Sequence, residues 1–233
     1  MHIRFIRNCI FVAIFCLFGC NAISGELFAP PQAPTLSKEG YALIVNSETG
    51  GQGYYNKFLK FPTVPPGYSG ISWGAGFDGQ FYSQDNIVRI WTKLGKENTI
   101  KLSKASGLNH SKSLKYLSEV KDILVTWDLA TEVFNKETVP QYYNLALRTY
   151  PGLDELKPNA IAAVVSCVFN RGNNLVGASR VEMRDLKPAI LQKDYKKMAE
   201  LFRNMKRLWA GTGQEGLIIR REKESQLIET CIK

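Results

Sequence analysis

Glu48 stands where an apolar stretch, Tyr41-Ala-Leu-Ile-Val-Asn-Ser47, gives way to a glycine-rich one, Thr49-Gly-Gly-Gln-Gly53. Further on lies a strand-like segment, Ser69-Gly-Ile-Ser-Trp-Gly-Ala-Gly-Phe-Asp78. A carboxylic acid held at a helix end and facing a glycine-rich hairpin can be partly desolvated, and desolvation favours its protonated form. Such a group can hand a proton to a leaving oxygen near neutral pH. Asp78, just past Gly74-Ala-Gly76, is the only carboxylate in the hairpin core. It reads either as a second acid or as the turn residue of Phe77-Asp-Gly79. Histidine occurs only as His2 and His110, and the polar Asn-His-Ser setting of His110 reads as a solvated loop. Two-histidine metal hydrolysis is thereby excluded. Nothing marks His110 as the base of a Ser-His-Asp or Cys-His apparatus. With no Cys-x-x-Cys pair, neither a structural zinc nor a cofactor is expected.

The elements that must position Glu48 follow from capping and periodicity. Ser37, followed by Lys38-Glu39, is a good N-cap and predicts a helix running to Glu48. Residues 54–82 alternate aromatics with glycines and carry Pro62, Pro65 and Pro66. This predicts a small, irregular β-hairpin lobe with Pro65-Pro-Gly67 as a turn. From Ser83 the pattern is helical. Ile87-Val-Arg-Ile-Trp91 opens one helix, and Leu114, Leu117 and Ile123-Leu-Val125 mark others. Thr126-Trp-Asp-Leu-Ala-Thr-Glu-Val-Phe134 continues the pattern with an acid in its first turn. From Pro158 to Asn170 the spacing of Ile161, Val164, Val165, Val168 and Phe169 predicts a central buried helix, ended by Gly172. Leu186, Ile190, Leu191, Met198, Leu201, Phe202 and Met205 form a second stripe, and the last helix begins near Gly216. The expected class is α+β and predominantly helical: a small β-hairpin lobe, a larger helical lobe, and a cleft between them that starts at Glu48.

Residues 1–24 read as an export leader. Arg4 and Arg7 precede an apolar run from Cys9 to Gly19 that is too short to span a bilayer comfortably. Ala22-Ile-Ser24 before Gly25 fits a small-x-small cleavage site. Leu17-Phe-Gly-Cys20 resembles a bacterial lipoprotein box, in which Cys20 would be acylated and would hold the protein to a membrane. Both readings export the mature chain, as a periplasmic protein or an anchored lipoprotein. Residues 25–36, with Pro30, Pro31 and Pro34, read as a linker. Residues 37–233 remain as one domain, expected to be monomeric. Outside the leader only Cys167 and Cys231 remain. Cys167 lies in an apolar run that makes it a small buried hydrophobe, and a disulfide between the two is left open. Setting aside Arg4 and Arg7, 28 basic residues face 21 acidic ones. That surface attracts polyanions. The basic residues interleave with apolar ones at helical spacing, as in Lys193-Asp-Tyr-Lys-Lys-Met-Ala-Glu-Leu-Phe-Arg203, so they do not form a nucleic-acid stripe.

Helix-end Glu48, Gly74-Ala-Gly76, Phe169-Asn-Arg-Gly172 and Gly216-Leu-Ile-Ile-Arg-Arg-Glu-Lys-Glu224 occur in one order. Together they resemble the phage-type lysozymes, muramidases that cut the glycan of peptidoglycan, over about residues 37–231. The resemblance implies a lysozyme-like fold, peptidoglycan glycan strands as partner, and Glu48 as general acid. In the family pattern an aspartate follows the glutamate and a threonine opens the Gly-x-Gly strand. Here Asn56 and Ser72 are the nearest matches, so the second carboxylate is missing unless Asp78 replaces it. Ser72 keeps a hydroxyl that can hold an attacking water. The resemblance also implies that Arg220 or Arg221 lies near Glu48, against the simpler reading of a solvated pair facing Glu222 and Glu224. It places Asn170 and Arg171 on the cleft wall. Tyr54, Tyr55 and Trp73 are candidates for stacking on sugars, whereas the apolar stripe before Trp209 favours core packing for that ring. Three outcomes stay open: hydrolysis, transglycosylation through the single glutamate, and peptidoglycan binding without turnover.

Overall fold

A computed structural model describes residues 34–232. The leader, with Cys20, and most of the linker lie outside the described residues. Helix α1 (Lys38–Thr49) begins where Ser37 Oγ accepts the Gly40 N–H at 2.9 Å, and Gly50 closes it in the left-handed conformation, φ 71°. Gly51, also at positive φ, opens a second helix, α2 (Gln52–Phe58). The glycines and aromatics here point to a hairpin, and the structure departs from that expectation. Tyr55 explains why: it is fully buried, and its hydroxyl donates to Val125 O at 3.0 Å, which pins one face of this short helix.

The hairpin itself is small. Strands β1 (Ser72–Trp73) and β2 (Phe77–Asp78) pair antiparallel, Ser72 opposite Asp78 and Trp73 opposite Phe77. Thr63 adds a bridge to Ser72. Gly74 is required at the turn, because φ is 60° and a Cβ there would lie 2.6 Å from the Trp91 ring. Helices α3 (Gln84–Ile90), α4 (Lys96–Ser103) and α5 (His110–Tyr116) surround a core built on Tyr55, Trp73, Phe77 and Trp91. His110 is not a solvated loop residue. It opens α5, partly buried, with Nδ1 3.1 Å from Ser69 O. Ile123-Leu-Val125 is not helical either. It crosses the lobe as a strap, with Val125 N–H donating to Lys60 O at 2.9 Å.

Helices α6 (Trp127–Val133) and α7 (Val139–Thr149) run on through one π-turn at Phe134–Thr138. Pro140 accounts for the widening, since it has no N–H for the Lys136 carbonyl and its ring needs room beside it. Trp127 packs against both hydrophobic cores and joins the lobes. In the larger lobe, α8 (Pro158–Arg171) is buried from Ala160 to Val168 and ends at Gly172, φ 69°. Helix α11 (Glu215–Glu229) packs against it, and α10 (Tyr195–Asn204) packs in turn against α11 and α9 (Val181–Leu191). The stripe from Leu186 to Met205 is broken rather than continuous. Lys193 adopts φ 53° and Asp194 caps α10, which leaves Leu191 64% exposed. Cys167 and Cys231 are both buried and both free. Helix α1 lies on α8 so closely that a Cβ on Gly40 would sit 2.3 Å from Ala162 Cβ. The described residues are thus predominantly helical with one small antiparallel sheet.

Candidate functional site

Glu48 comes from the last turn of α1, with 20% of its side chain exposed. Its partner lies 172 residues away. Arg220 of α11, 5% exposed, donates Nη1 to Glu48 Oε1 at 2.5 Å. The rest of the Arg220 head group is fixed from below. Nη2 donates to Ser166 O at 2.9 Å and Ser166 Oγ at 3.0 Å, and Nε lies 3.3 Å from Glu224 Oε1. Ser166 Oγ in turn donates to Glu224 Oε1 at 2.5 Å. Glu224 also holds Arg221, whose Nη2 donates to Oε1 at 2.9 Å. Arg221 Nε lies 2.8 Å from Oε2, at ion-pair distance without hydrogen-bond alignment. Arg221 continues to Cys167 Sγ (3.2 Å) and toward Asn170 Oδ1 (3.4 Å).

Ser166, Arg221 and Glu224 are fully buried, so Arg220 and Arg221 do not form a solvated pair. Two arginines face two glutamates, and that balance makes burial of the charges tolerable. Burial alone pulls the Arg220 guanidinium down, but the charges of Glu48 and Glu224 outweigh it and hold it above its ordinary value. Burial pushes the Cys167 thiol up, with the Arg221 charge opposing. Neither Ser166 nor Glu224 stands out as a site residue from sequence reasoning. The available signals were a lone hydroxyl in the apolar run of α8, and the i,i+3 and i,i+4 spacing of Glu224 from the two arginines.

The remaining candidates fall elsewhere. Asn170 joins the network through Arg221. Arg171 donates Nη2 to Ser179 O at 2.5 Å and lies 5.0 Å from the centre of the Trp209 ring, which is partly buried against the larger core. On the hairpin, Ser72 is partly exposed, and its hydroxyl has no hydrogen bond among the described residues. Asp78 is 3% exposed and accepts from Gly70 N at 3.0 Å, Gln80 N at 3.1 Å and Gln80 Nε2 at 2.9 Å. Those bonds knit the base of the hairpin. Trp73, 2% exposed against Phe77 and Trp91, is a core residue and offers no face to a ligand. Tyr55 is buried as well. Tyr54 is partly exposed with its ring 4.7 Å from Phe58, and Asn56 is exposed beside a shallow depression lined by Gln52, Lys60 and Thr126. Among the described residues no hydrogen bond or ion pair joins Ser72, Asp78 or Asn56 to Glu48. The hairpin nevertheless reaches the larger lobe, because Ala75 at its tip packs into the same core as Ile44 and Val45 of α1. No group of three or more His, Cys, Asp or Glu side chains stands together for a metal among the described residues. Compared with models of protein families and with curated proteins, the chain matches none.

Proposed function

We propose that this chain is an exported peptidoglycan glycosidase, cleaving the β-1,4 bond between N-acetylmuramic acid and N-acetylglucosamine. One observation carries the reading: a partly exposed carboxyl at a helix end, oriented through one oxygen by a buried arginine. Oε1 of Glu48 takes Arg220, and Oε2 has no protein partner among the described residues. That oxygen is the one to protonate the leaving O4 as the C1–O4 bond breaks. The carboxylate left behind then takes a proton back from the group that attacks C1. If that group is water, the Ser72 hydroxyl is the candidate to hold it, and a reducing end forms. If it is the muramyl 6-hydroxyl, an anhydro ring closes and one carboxylate suffices. The engagement of Asp78 in the hairpin base favours a single-carboxylate course in either case. Mass analysis of muropeptides released from purified sacculi tests the proposal. Reducing or anhydro ends support cleavage and distinguish its two courses. Absence of both products, from a folded protein that still sediments with sacculi, would replace the enzyme with a binding protein.

Asp78→Asn separates the structural role of that carboxyl from a chemical one. Burial raises the Asp78 carboxyl above its ordinary 3.8, against the hydrogen bonds from Gln80 and Gly70 that lower it. A carboxyl with a raised pKa in the folded chain binds its proton more readily there. Its contribution to stability is therefore full below pH 3.8 and is lost as pH rises through the folded value. Asn cannot titrate, so the melting temperature of Asp78→Asn should fall further below wild type at pH 3 than at pH 7, with turnover largely kept. A loss of orders of magnitude in turnover at unchanged melting temperature would return Asp78 to the chemistry.

A further inference from the structure

Arg171 and Arg180 converge on one uncharged atom. Arg171 Nε lies 3.3 Å and Arg180 Nη1 3.2 Å from Met183 Sδ. Arg184, one residue beyond that methionine, gives Nη1 to the carbonyls of Leu175 and Gly177. None of these three arginines has a carboxylate at ion-pair distance among the described residues. Their neighbours are different. Arg203 is matched by Glu222 and Glu229, Arg207 by Glu182, and Arg220 and Arg221 by Glu48 and Glu224. Glu182 also acts on Arg171, but both its oxygens already accept from Arg207, at 2.5 and 3.2 Å. Nη1 of Arg171 and Nε and Nη2 of Arg180 are left without a protein partner among the described residues. Burial and the charges of Arg180 and Arg221 pull the Arg171 guanidinium below its ordinary value. Two cations held side by side without an anion are unfavourable, and a guanidinium fork matches the geometry of a carboxylate. The corner adjoins the Glu48 network. Arg171 follows Asn170 in the chain, and its guanidinium shares the Trp209 ring with that of Arg221, at 5.0 and 5.8 Å.

We infer that Arg171 and Arg180 form a carboxylate site that takes an acidic group of the peptide stem carried by the glycan. This rests on the glycosidase reading for its ligand, and its test does not need turnover. Arg171→Gln/Arg180→Gln and wild type are sedimented with sacculi freed of wall phosphate, and with the same sacculi after their free carboxylates have been chemically amidated. Wild type should bind native sacculi about tenfold or more tightly than the double variant, since charge-assisted bonds of this kind are lost together. It should fall to the level of the variant on amidated sacculi, where the variant itself shows no change. Arg180→Gln alone, which gives up only the contact with Met183, should show part of the effect and guards against misfolding of the double variant. Lys112→Gln/Lys115→Gln on α5 removes the same charge at exposed positions and should bind like wild type. Equal losses in the two double variants, or a double variant that still prefers native sacculi, would overturn the site. Preference for native sacculi with no muropeptide release would retain the site and discard the glycosidase.

Discussion

Glu48→Gln is expected to lower release of muropeptides from sacculi by about a hundredfold or more, the usual contribution of a positioned general acid. The amide keeps an oxygen that accepts from Arg220, so the helix end should stay where it is. Arg220 also retains Ser166 and Glu224, although Glu224 is then shared with Arg221. The loss in melting temperature should be smaller than for removal of Glu224, because Glu48 is partly exposed and meets Arg220 alone. The fold should therefore survive, which circular dichroism and melting on the same preparation would verify. A variant that keeps more than about a tenth of wild-type turnover would remove Glu48 from the acid role, because no general acid is that dispensable.

The second large effect is one of stability. Glu224→Gln leaves two fully or nearly fully buried arginines with Glu48 as the only remaining carboxylate in the network. Breaking a buried pair on one side leaves an uncompensated charge and costs about 3–5 kcal/mol. In a domain of this size that lowers Tm by roughly 6–20 °C. Glu222→Gln, two residues earlier, is the contrast. Glu222 meets Arg203 and Lys206 at the surface, where its side chain is 31% exposed, and its loss should cost less than about 1 kcal/mol. Thermal melts of the two variants side by side decide the matter. Equal, small shifts would mean that the Arg220–Glu224–Arg221 cluster is not the strongly coupled unit its geometry implies.

Some of this arrangement was legible in the residues. Ser37 as a cap, Glu48 near the end of the helix it starts, the apolar α8 and the glycine that ends it are local signals, and local signals decide local structure. The nearness of Arg220 to Glu48 came only from the resemblance, since nothing in spacing joins positions 172 residues apart. What misled was context. Residues 51–58 carry glycines that argue against a helix, yet one buried Tyr55 and its bond to Val125 override them. Arg220-Arg221-x-x-Glu224 has the spacing of a solvated salt-bridge ladder, and only the tertiary packing of α11 against α8 turns it inward. Trp73 has the composition of a sugar platform, but the pleat sends it into the core, leaving Ser72 and Asp78 on the other face.

The bare backbone of Gly40 has a mechanical consequence. Eight residues, about 12 Å of helix, separate it from Glu48. At the Gly40 end α1 rests directly on Ala162 of α8, and at the far end Glu48 is gripped by Arg220, whose own anchor, Ser166, is one turn further along that same α8. Acid and guanidinium are thus referenced to one rod as well as to each other. A displacement of α8 carries both and preserves their alignment, while a methyl group at position 40 would lever α1 away from the rod and move the carboxyl alone.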